Sequence, residues 1–102
     1  MFNLPFFGYK RRIRKLRKKW DRLREKALKK KSPMKEDILA RMDLIEQNLR
    51  VLEERKVNRI ERSRIAKEIE IDLEEIKTLV GMKEEEYMLQ RQKLKTKQGV
   101  TQ

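Results

Sequence analysis

From Tyr9 onward the apolar residues of this chain recur in alternating steps of four and three. Tyr9, Ile13, Leu16, Trp20, Leu23 and Ala27 form the first run, without a miss. That spacing keeps one face of an α-helix apolar, and it conflicts with the two-residue alternation of a half-buried strand. Ile38, Met42, Ile45, Leu49 and Leu52 repeat it, as do Ile65, Ile69, Leu73, Ile76 and Val80. The expected fold class is therefore all-α: an N-terminal basic amphipathic helix followed by a helical hairpin or coiled-coil-like bundle.

Breakers and caps divide the chain. Residues 1–8 read as an apolar arm carrying Phe2, Leu4, Phe6 and Phe7, because Pro5 and Gly8 are expected to keep regular helix out. The basic helix is expected over 9–31, closed by Lys29, Lys30 and Lys31 at the negative end of its dipole. Ser32-Pro33 marks the next start: Ser caps helices, Pro suits the first helical position, and Glu36 and Asp37 fill the first turn. A charge-balanced hairpin or bundle follows over 32–95. Its seam fails after Leu52, where continuation would run through Lys56, Arg59 and Ser63, while Val57, Ile60 and Ile65 occupy a displaced face. A stutter in one helix would produce this pattern, and so would a break. An unbroken helix over 33–80 would be about 70 Å long, so a break is expected between 56 and 63. Gly81 is placed to cap the helix through Val80. A weaker helix over 83–95 holds Tyr87, Met88, Leu89 and Leu94, and the tail 96–102 is expected to fray.

Charge is as unevenly placed as hydrophobicity is regular. Residues 1–31 carry fourteen Lys and Arg against Asp21 and Glu25, a balance of +12, and residues 32–102 carry fifteen of each sign. On the basic helix like charges stack one turn apart, as at Lys10 with Arg14, Arg14 with Lys18 and Lys15 with Lys19, each costing a few tenths of a kcal/mol. Phosphates would relieve that repulsion, and counterion release would favour binding. Neutralisation by the rest of the chain is the competing account, but residues 32–90 hold eleven basic and fifteen acidic side chains, a balance of only −4.

Other chemistries are excluded or unsupported. The chain has no Cys and no His, which removes thiolate chemistry, disulfides, the commonest general base and the commonest metal ligand. Glu70 and Glu74 stand one turn apart and could share a cation, yet the acids (Glu53, Glu54, Glu68, Glu70, Asp72, Glu74, Glu75, Glu84, Glu85, Glu86) interleave with Lys and Arg, as on a solvated helix face. No active site, cofactor or metal is expected. No apolar run reaches the ~18 residues of a membrane span. A transit peptide would share the Arg-rich, acid-poor start but would also be Ser-rich, and no Ser precedes Ser32. An intracellular, soluble protein is expected, its compartment open.

Residues 63–79 resemble the helix-turn-helix pattern of DNA-binding regulators. The matching positions are Ile65 and Ala66 on the first helix, Ile69 and Ile71 around the turn, and Ile76 and Leu79 on the second, with Asp72 as its cap. The resemblance implies a DNA-reading unit. Glu70 stands where the pattern usually has Gly, and the second helix would begin Leu73-Glu74-Glu75, which phosphates repel.

The leading functional expectation is a non-enzymatic, sequence-nonspecific nucleic-acid-binding or packaging protein with a helical oligomerisation body. Lys10, Arg11, Arg12, Arg14, Lys15, Arg17, Lys18, Lys19, Arg22 and Arg24 are the expected phosphate contacts, Arg bidentate and Lys as a point charge. DNA and RNA are equally compatible. One alternative is a structural or adaptor protein that docks a protein partner through Phe2, Leu4, Phe6, Phe7 and Trp20. The others are the helix-turn-helix-like regulator and a peripheral protein on an anionic membrane surface, for which aromatic residues beside Lys and Arg are the signature. The seam on 38–52 is expected to pack on Leu16, Trp20 and Leu23 or on a second copy of the chain.

Overall fold

The computed structural model describes residues 4–100, with side chains over residues 8–93. Among them all regular structure is helical, in four helices: α1 (Leu4–Leu28), α2 (Met34–Glu54), α3 (Arg59–Val80) and α4 (Glu84–Val100). α1, α2 and α3 pack against one another in all three pairings, and α4 leans on α2. Trp20 meets Met42 and Arg17 meets Glu53, which sets α1 antiparallel to α2. Arg12 pairs with Glu70 and Lys19 with Glu74, an advance in the same direction that sets α1 parallel to α3.

The three seams found in the sequence close on one another. Ile13, Leu16, Trp20, Leu23 and Ala27 join Ile38, Met42, Ile45, Leu49 and Leu52 of α2 and Ile65, Ile69, Leu73, Ile76 and Val80 of α3 in one buried cluster. Each Leu or Ile taken out of water there contributes about 1.5–3 kcal/mol, so burial of these faces holds the bundle. The indole N–H of Trp20 donates to the Met42 carbonyl oxygen at 2.9 Å, which satisfies the one polar atom the ring brings inside. The packing expected between the 38–52 seam and Leu16, Trp20 and Leu23 occurs within a single chain. The argument from an unfilled seam to self-association thereby loses its basis.

Element boundaries depart from expectation at the start of α1 and at its end, Leu28 rather than Lys31, at the start of α2 and at the end of α4. Helix α1 begins at Leu4, inside the stretch expected to be an arm over 1–8. Pro5 falls in the first turn, where a backbone N–H has no helical partner anyway, and Gly8 costs about 1 kcal/mol relative to Ala without forbidding helix. At the next start the cap position falls on Pro33, and Ser32 instead donates its hydroxyl to Glu36 at 2.9 Å. Gly81 does terminate α3, but with φ −83° and ψ −8°, so no left-handed residue is used. Helix α4 extends to Val100, past the end expected near 95 and into the stretch expected to fray. Residues 101–102 lie outside the described residues.

The break within 33–80 is real and tight. Arg55 turns extended at φ −106° and ψ 149°, while its N–H still donates to the Val51 carbonyl at 3.0 Å. Three residues later Asn58 caps α3, its side-chain oxygen accepting from the Glu61 N–H at 2.8 Å. The displaced face after Leu52 is thus a new helix rather than a stutter.

The same helix overturns the helix-turn-helix resemblance. Residues 63–79 lie within one uninterrupted α3, with Glu70 and Asp72 in mid-helix rather than at a turn and a cap. Ile65, Ile69, Leu73, Ile76 and Val80 are all buried on one face, so turning the chain at Glu70 would pull half of that face out of the core. Ile71, placed at the turn by the resemblance, is instead 56% exposed.

Candidate nucleic-acid interface

Packing divides the cations of α1 into two populations. With the seam inward, residues one step to either side of it look across to α2 or α3, and the rest point to solvent. Arg17 lies on the α2 side. Its guanidinium grips Glu53 through two hydrogen bonds at 2.8 and 3.0 Å, approaches Glu46 at 3.6 Å, and stacks 5.2 Å from the Trp20 ring centroid. On the α3 side Arg12 makes the equivalent fork to Glu70 at 2.9 and 3.1 Å, and Lys19 pairs with Glu74. These hydrogen bonds hold the Glu70 and Glu74 carboxyls below the usual carboxylate range and raise both guanidinium pKa values. The Glu70–Glu74 pair does take cations, then, but they are side chains of α1. Among the described residues no group of three or more Asp and Glu is arranged to hold a metal ion.

The second population is unpaired. Arg11, Arg14, Lys15, Lys18 and Arg22 are exposed, and none of them reaches a carboxylate within ion-pair distance among the described residues. Arg24 is also exposed and lies 5.9 Å from the Trp20 ring centroid, on the opposite flank. Lys10 is exposed but takes part in an interaction of its own. From Arg11 to Arg22 the outward crest of α1 spans about 17 Å at the helical rise. Of the ten cations singled out in the sequence, Arg12, Arg17 and Lys19 are therefore corrected to interhelical clamps. Arg11, Arg14, Lys15, Lys18 and Arg22 form a continuous cationic crest.

Beside that crest the structure adds a feature the sequence did not disclose. Between α1 and α3 lies an open recess of about 380 Å³, floored by Leu23 and walled by Lys15, Lys18, Lys19, Arg22 and Lys26 of α1 and by Lys77 of α3. Lys77 belongs to the charge-balanced half of the chain, and nothing local marks it. Only the parallel register of α1 and α3 brings it alongside Lys26. The chain matches no family model, no curated protein and no solved structure.

The expected docking set fares differently. Trp20 is 6% exposed, consumed by the core and hydrogen-bonded there, so it is withdrawn as a docking residue. Phe2 lies outside the described residues, as do the side chains of Leu4, Phe6 and Phe7. The buried seam bears equally on the membrane alternative. An interfacial helix sinks its apolar face into lipid, and Ile13, Leu16, Trp20 and Leu23 already face protein. Among the described residues no helix is long and apolar enough to cross a membrane.

Proposed function

We propose that this protein is a non-enzymatic, sequence-nonspecific nucleic-acid-binding protein that engages the phosphate backbone through the outer face of α1. The observation that carries this reading is the crest of Arg11, Arg14, Lys15, Lys18 and Arg22, carried on a packed helix and, among the described residues, without a carboxylate at ion-pair distance. Burial of the seam and the three clamps fix the helix that carries these cations before any ligand arrives. Binding then costs less backbone ordering than a flexible basic tail would require. Contacts of this kind go to phosphate and carry no base information.

Truncation is the wrong test, because α1 contributes Ile13, Leu16, Trp20, Leu23 and Ala27 to the core. The informative comparison is fluorescence anisotropy of a labelled random duplex of about three turns against the intact chain and against a triple variant, Arg14→Gln, Lys18→Gln and Arg22→Gln. Both are run at about 50 mM and about 200 mM salt. The intact chain is expected to bind at low salt and to lose affinity steeply between the two conditions. The triple variant should lose about three units of salt slope while melting like the parent. No binding by the intact chain at low salt ends this reading.

A further inference from the structure

The crest is convex, and residues standing straight out from one helix meet a strand from one side only. The recess beside it is concave and cationic on both walls: α1 supplies Lys15, Lys18, Lys19, Arg22 and Lys26, and α3 supplies Lys77. Clefts lined with one sign of charge and backed by low-dielectric protein focus the field more strongly than a ridge does. Here Leu23 and the buried core beneath it form that backing. The carboxylate set beside this cationic group is Glu74, which holds Lys19 and also feels the charge of Lys77.

We infer that one sugar–phosphate strand of the bound nucleic acid lies in the recess between α1 and α3, with Lys77 a phosphate-contacting residue and Glu74 a competitor that limits affinity by holding Lys19. This rests on the nucleic-acid reading above and makes the binding site composite, drawn from both charge halves of the chain. Phosphate oxygens entering the recess meet Lys77 on one wall and Lys15, Lys18, Arg22 and Lys26 on the other. Lys19 exchanges a carboxylate partner for a phosphate. A small multivalent phosphate would find the same cations, but the recess is open and shares Lys15, Lys18 and Arg22 with the crest of about 17 Å, a continuity that suits a polymer.

The test uses the intact chain and four single variants, read by anisotropy of the same random duplex across a salt series. Lys77→Ala removes a recess cation. Lys56→Ala removes an equal charge from the α2–α3 turn, about 27 Å or more away along α3. Glu74→Gln frees Lys19, and Glu54→Gln deletes an acid at the far end of the bundle. Lys77→Ala is expected to weaken binding about threefold at moderate salt and to lower the salt slope by about one, with Lys56→Ala close to the parent. Glu74→Gln is expected to tighten binding beyond anything Glu54→Gln does. If the intact chain binds duplex but Lys77→Ala matches Lys56→Ala, the strand lies elsewhere and this inference falls while the function stands. If the intact chain binds no duplex at low salt, both fall together.

Discussion

Two adjacent lysines show how much a side chain's direction decides. Lys18 and Lys19 are equivalent by composition, yet Lys18 points to solvent and Lys19 is held by Glu74. The same split separates Arg17 from Arg14 one turn away. Lys18→Ala should therefore weaken duplex binding about threefold and leave the thermal midpoint unchanged. Arg17→Ala should lower stability by about 1 kcal/mol, since a half-buried fork to Glu53 and the cover over Trp20 go together. Paired thermal melts and anisotropy titrations separate the two effects. The clamps also set a pH dependence. Glu70 and Glu74 have folded pKa values below 4.5, their value when unperturbed. Their contribution is present above that pH and is lost as pH falls through the lowered values. Melting temperature should drop progressively from about pH 5 to about pH 3, and less so in Glu70→Gln, which has already lost one of the two groups.

At the scale of elements, the helix ends explain why the chain folds back instead of extending. Asn58 starts α3 with a side-chain cap, and Asn58→Ala should cost about 1 kcal/mol in denaturant unfolding. Gly81 ends α3 in a right-handed conformation, and a methyl group there would meet the Lys77 and Thr78 carbonyl oxygens at ordinary contact distances of 3.5 and 3.6 Å. Gly81→Ala should accordingly stabilise the fold by about 0.5 kcal/mol, through the lost freedom of the unfolded chain. A left-handed cap would have given the opposite sign. Helix α4 is held to the start of α2 by one carboxylate: Asp37 accepts from the Tyr87 hydroxyl at 2.6 Å and from Arg91 at 3.0 Å. Burial, followed by the hydrogen bond to Asp37, pushes the Tyr87 phenol up to about 12 from its usual 10.0. A raised acid stabilises the fold below its unfolded pKa, and that stabilisation is lost as pH climbs from about 10 toward 12. Helical content followed by circular dichroism should fall with a step over that range in the parent. In Tyr87→Phe that step should be smaller.

On the scale of the whole molecule, core and cationic crest share one helix. α1 closes the bundle with its inner face and presents the crest with its outer face. A chain starting at Ser32 should therefore lose its cooperative melt and bind a hydrophobic dye, because Met42, Ile45, Leu49, Ile69 and Leu73 would be uncovered together. If that shortened chain melts cooperatively, α1 is an appendage and the division into clamps and crest is wrong. The placement of α1 between α2 and α3 also eases the crowding of +12 in one segment. Glu46, Glu53, Glu70 and Glu74 meet the flanks of α1, and the cations of its outer face stand apart from them.

The sequence by itself determined the helices and their buried faces. Periodicity in steps of four and three depends only on neighbours along the chain, and every residue from Ile13 to Val80 assigned to the three seams is buried. The break after Leu52 was legible for the same reason, since the seam visibly lost its face. Tertiary structure decided everything that turns on which helix stands beside which. The resemblance over 63–79 rested on spacing that one straight helix satisfies equally well, and packing against α1 and α2 selected the straight one. Whether a cation is a clamp or stands unpaired depends on a carboxylate some 30 to 60 positions away, which no local pattern encodes. Lys77 enters the candidate site through interhelical register alone. Hydrophobic periodicity is a property of one helix, whereas charge pairing belongs to pairs of helices and becomes readable only once the bundle has formed.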